Sequence, residues 1–68
     1  MTSQQEKELA IRIKPEDTIT TLSGRNIIVG SIELDEAGYW VVPKGAHEFT
    51  YWIPLPSITH VNNERLNY

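Results

Sequence analysis

No cysteine occurs among the 68 residues, which excludes a disulfide framework and any thiolate-bound metal. A chain this short buries only roughly 60% of its unfolded surface, so without those staples oligomerisation is the remaining source of added stability. The lack of cysteine is also compatible with a reducing compartment. No apolar run is long enough to span a bilayer. The opening stretch Met1-Thr2-Ser3-Gln4-Gln5-Glu6-Lys7-Glu8 lacks the apolar centre of a secretory signal. The expectation is a soluble, cytoplasmic protein with one domain over residues 1–68, its polar ends 1–7 and 62–68 frayed.

An excess of positive charge is missing as well. Six Lys and Arg stand against nine Asp and Glu, a net charge of −3 with histidine neutral. That balance argues against a surface that neutralises phosphate throughout, though not against a local basic patch. There is no phosphate-cradling glycine loop and no nucleophile–base–orienter set. His47 and His60 lack metal-site partners, Glu48 beside His47 being a weak pair. Asp35 and Glu36, adjacent on a strand, would point to opposite faces and not share a proton. The chain therefore reads as a non-enzyme with no metal and no cofactor.

What is present is a succession of short β signals. Ile27-Ile28-Val29-Gly30-Ser31-Ile32-Glu33-Leu34 is β-branched and apolar around an interior glycine, the pattern of a strand bent at Gly30. Strict alternation puts Ile28, Ile32 and Leu34 on its inner face with Gly30. Before it, Thr18-Ile19-Thr20-Thr21-Leu22 runs into the hairpin turn Ser23-Gly24-Arg25-Asn26. After it come the turn Asp35-Glu36-Ala37-Gly38, a strand Tyr39-Trp40-Val41-Val42 apolar on both faces, and a strand Phe49-Thr50-Tyr51-Trp52-Ile53. Pro54 and Pro56 end that ladder in a tight 3₁₀-like corner, followed by a last strand Ile58-Thr59-His60-Val61. The first segment reads two ways. Leu9, Ile11 and Ile13 alternate as on a half-buried strand, which is the better fit, while Ser3 and Glu6 have the spacing of a capping box ahead of a short helix. The sum is an all-β fold, a small, strongly bent antiparallel barrel of five to six strands.

Several residues carry both a structural and a functional reading. Aromatics such as Trp40, Trp52, Tyr39, Tyr51 and Phe49 either fill the core and interfaces of a β domain or present faces on which bases stack. Tyr39, Trp40 and Tyr51 would form the aromatic cage of a monomeric Tudor-type barrel if they converged. Asp35 has the sequence context of a residue that binds turn amides. Arg25 and Lys44 sit at loop tips, where a ring assembly would gather them into a phosphate-binding patch.

The order of elements resembles the Sm-like family, to which the bacterial RNA chaperone Hfq belongs. The likeness rests on Gly24 in the hairpin turn, on Gly30-Ser31-Ile32 with Asp35 after it, and on Ile53, Ile58 and Val61 near the end. It spans Ile19 to Val61 and looks most like a small, stand-alone, divergent member such as phage genomes encode, which would act in the host cytoplasm. Gly24 and Gly30 are six apart where the family has five. Tyr39 stands where the family has a base-contacting asparagine, Pro54-Leu55 replaces Arg-Gly, and the Tyr-Lys-His trio of Hfq is absent. The resemblance implies a cyclic homo-oligomer in which Phe49 to Ile53 of one subunit pairs with Ile58 to Val61 of the next. Phe49, Tyr51, Ile53, Ile58 and Val61 would thus lie at the subunit interface. It also implies single-stranded RNA as ligand, with Tyr39, Arg25, Lys44 and Asp35 as the candidate contacts. The alternative is a scaffold of the same fold that binds a protein partner and no RNA.

Overall fold

The computed structural model describes residues 1–46 and 51–67. In chain order these form α1 (Ser3–Arg12), β1 (Thr18–Thr21), β2 (Asn26–Asp35), β3 (Gly38–Pro43), β4 (Ile53–Pro54), a one-turn 3₁₀ helix (Leu55–Ser57), β5 (Ile58–Val61) and β6 (Glu64–Arg65). The strands make an antiparallel sheet in the order β4-β3-β2-β1-β5-β6. The described residues are therefore mostly β, with one α-helix. Its end strands β4 and β6 do not pair with each other among the described residues, so the six strands form an open sheet in place of the strongly bent barrel expected.

The helical reading of the first segment is the one the structure adopts, in place of a strand over Leu9 to Ile13 and a frayed 1–7. Thr2 caps the helix: its hydroxyl accepts from the Gln5 amide at 3.2 Å and its own amide donates to Gln5 Oε1 at 2.8 Å. This is a capping box one residue earlier than Ser3 and Glu6. Leu9 and Ile13, four apart, are buried, whereas Ile11, which period-2 alternation would bury with them, is 71% exposed. Pro15 then biases Lys14 away from helix. The helix packs against β3 and the 3₁₀ turn.

The core consists of Leu9, Ile13, Ile19, Val29, Val41, Leu55, Ile58 and Val61, with Ile27, Ile32, Tyr39, Ile53 and Leu66 packed around it. On β2 the expected inner face is only half right. Val29 is fully buried and Ile28 is 43% exposed, while beyond the bend Ile32 faces inward opposite Val41. The cause is a bulge: Val29 pairs with Pro43 and Ser31 with Val42, so Gly30 is an extra residue and side-chain parity reverses across it. Leu34, opposite Tyr39, shares the inner side but lies beyond the core and is exposed.

The carboxy-terminal residues expected to fray instead turn back. Asn62 and Asn63 both have positive φ, 51° and 67°, as in the two-residue turns that match strand twist, and β6 pairs His60 with Arg65 and Val61 with Glu64. The turn is tied to β1, since the Asn62 amide bonds the Thr18 carbonyl and the Thr18 amide donates to Asn62 Oδ1 at 2.9 Å. No helix among the described residues is long and apolar enough to cross a membrane.

Candidate nucleic-acid interface

Two loops converge beside the first half of β2. One is the β1–β2 turn, closed by the Gly24 amide on the Thr21 carbonyl and the Thr21 amide on the Arg25 carbonyl, both at 2.9 Å. Gly24 has φ of 85°, the left-handed geometry such a turn demands. The other is the turn after β3, where the Lys44 amide bonds the Ile28 carbonyl at 2.8 Å and the Ala46 amide bonds that of Pro43 at 3.0 Å. Between them lies an open groove of about 600 Å³. Its rim carries Arg25 and Lys44, its polar wall Thr21, Ser23 and Asn26, and its apolar lining Ile27, Ile28, Tyr51, Trp52 and Ile53. The exposure of Ile28 is thereby explained: it lines the groove.

The four expected RNA contacts are split. Arg25 and Lys44 share this groove. Asp35 and Tyr39 lie at the other end of β2, about the hairpin it forms with β3. Asp35 Oδ1 accepts from the Ala37 amide at 2.8 Å and from the Trp40 indole N–H at 2.9 Å, so it ties the turn together as its context suggests. Tyr39 is half-buried and packs against the core. Glu6 of the helix lies over Gly38 next to it. Trp40 points to the opposite side of the strand from Tyr39, and Tyr51 lines the groove, so the three do not form a cage.

Of the expected interface residues, Ile58 and Val61 have side chains buried in the chain's own core and Ile53 packs against it, so pairing at these strands would use their main chain. Tyr51 is exposed and belongs to the groove. Phe49, like His47, Glu48 and Thr50, lies outside the described residues. Among the described residues of the expected strand only Ile53 lies in β4, with Tyr51 and Trp52 outside it, and Pro54, expected to end the ladder, is paired with Trp40 within it.

Comparison with known proteins returns nothing: no family model, curated protein or solved structure matches this chain. The site is thus read from its own chemistry. Among the described residues no group of three or more His, Asp or Glu is placed to hold a metal, and the His60 ring is engaged through Nδ1 with the Thr59 hydroxyl at 2.8 Å. A basic rim beside aromatic rings suits a phosphodiester with an adjoining base. Sequence reasoning missed Glu16, which contacts Lys44 Nζ through Oε1 at 2.8 Å and Oε2 at 2.9 Å. The Pro15-Glu16-Asp17 segment reads only as a turn, and no local pattern signals a partner 28 residues away.

Proposed function

We propose that this protein is a non-catalytic, Sm-like adaptor that binds single-stranded RNA in the groove between the β1–β2 turn and the turn after β3. The observation that carries the proposal is the placing of Arg25 and Lys44 with Tyr51 and Trp52 around one open groove. Cations track a phosphate backbone, and aromatic faces accept any base at about 1–3 kcal/mol each. The order of elements, with a bulged second strand and a 3₁₀ turn before β5, supports the Sm-like reading. The RNA site of this reading lies away from Tyr39, where the family contact would fall.

Ring assembly is the second part of the proposal. The β4 edge is open among the described residues, and the outer edge of β5 carries only the two-residue β6 and one further bond from the Leu66 amide to the Thr59 carbonyl at 2.9 Å. Pairing β4 of one copy with β5 of the next requires β6 to peel away. Native mass spectrometry of the full chain, with and without short uridine and adenine oligonucleotides, tests both parts. The expected spectrum is one closed oligomer that retains oligonucleotide. A ring without oligonucleotide would shift the reading to a protein-binding scaffold, which the acidic balance of nine against six favours. A monomer that still retains oligonucleotide would remove the ring and leave the groove.

A further inference from the structure

We propose that Glu16 is a built-in competitor for the RNA phosphate at Lys44, and so sets the affinity of the groove. The inference rests on the groove being the RNA site. Lys44 is on the groove rim, yet both oxygens of the Glu16 carboxylate lie within 2.9 Å of its Nζ, in the manner a phosphate would. Arg25, on the same rim, has no ion pair among the described residues. One rim cation is therefore available and the other is already occupied.

Glu16 is held in this position by more than its side chain. Its φ is 77°, a left-handed conformation uncommon for any residue other than glycine, asparagine or aspartate. The cost is met by backbone bonds: the Glu16 amide donates to the Val29 carbonyl at 2.9 Å and the Val29 amide donates to the Asp17 carbonyl at 2.8 Å. The turn is thus pinned to β2 immediately before the bulge at Gly30, next to the segment that carries Lys44. A glycine or asparagine would satisfy the backbone better. What glutamate adds is a carboxylate at the end of a long side chain, aimed across β2 at Lys44. The pair remains exchangeable, since the two side chains are 59% and 66% exposed. Water-exposed ion pairs of this kind give way readily to a competing anion. Binding a phosphodiester then exchanges one anion for another at Lys44, while Glu16 returns to solvent.

The test is an anisotropy titration of fluorescently labelled oligouridylate and oligoadenylate with the full-length protein over a range of salt. Glu16→Gln removes the competing charge at an exposed site and is expected to tighten binding about fivefold, the scale of an exposed ion pair. Lys44→Gln is expected to weaken binding and to reduce the salt slope by about 0.7, the single-strand value for one cation. The double variant should match Lys44→Gln alone, because Glu16 acts through Lys44. Glu36→Gln makes the same charge change at the far end of β2 and should leave the affinity where it is. A gain in Glu16→Gln that equals the gain in Glu36→Gln, or that survives in the Lys44→Gln background, would overturn the competitor role. Wild-type binding that none of these substitutions alters would do the same while leaving RNA binding in place. Absence of binding by every form would overturn RNA binding itself, and the competitor role with it.

Discussion

Replacing Leu9 with alanine is expected to destabilise the fold by about 2–5 kcal/mol, the range for truncating a fully buried leucine. Leu9 has no exposed surface and sits where α1 meets the core. Truncating it therefore leaves a cavity and also loosens the one α-helix of the described residues. A 68-residue domain holds roughly 3–10 kcal/mol at the usual stability per residue, so the loss is a large share of the total. Urea unfolding followed by circular dichroism should show a much lower midpoint, and the helical signal should fall first. Ile11→Ala is the control. Its side chain is 71% exposed two positions along the same helix, and its effect should stay within about 0.5 kcal/mol. Equal effects at the two positions would contradict the helical register and restore the alternating strand.

Gly30→Ala is the second large effect, at about 1–3 kcal/mol from overpacking. A Cβ at this position would lie 3.0 Å from the Val42 carbonyl oxygen, 3.1 Å from Lys44 Cα and 3.2 Å from Lys44 N. All three are main-chain atoms, so no rotamer change relieves the contact and the β3 end must move. Because the Lys44 amide is anchored on the Ile28 carbonyl, that movement also reaches the rim of the groove. Thermal unfolding should show a fall in Tm of about 4–8 °C for each kcal/mol lost. An unchanged Tm would mean that the bulge does not press the two strands together as described.

The parts of the fold legible in the sequence are those punctuated by backbone-restricting residues. Pro54 and Pro56 mark the 3₁₀ corner, and the β-branched run after them is β5 to the residue, Ile58–Val61. Gly24 likewise marks the first hairpin. Sequence and structure differ where two periods fit the same residues. Leu9 and Ile13 satisfy both alternation and an i, i+4 helix face, and the deciding interactions are the Thr2 cap and the docking of α1 on β3. On β2 the glycine marks a bend, as its pattern predicts, but the bend is a bulge that reverses parity, so Ile28 faces out and Val29 faces in. β6 was hidden by its polar composition, although Asn62-Asn63 is a turn signal in its own right.

The candidate site was legible residue by residue and not as an arrangement. Arg25 and Lys44 read as loop cations from their turns alone, but their meeting depends on the pairing of β2 with β3, which carries Lys44 back beside the first hairpin. Asp35 binds the amide of its own turn, as its context suggests, while the half-buried packing of Tyr39 against the core depends on the fold and has no local signal. Glu16 was invisible because its partner is distant in sequence.

The most direct test of the groove as an RNA site is a ¹H–¹⁵N NMR titration of the protein with a short oligouridylate or oligoadenylate at low salt. Binding in the groove predicts shifts at the Arg25, Lys44, Gly45 and Trp52 amides and at the Trp52 indole, with Glu36 to Tyr39 unmoved. Shifts centred on Glu36 to Tyr39, or no shifts up to millimolar oligonucleotide, would contradict it.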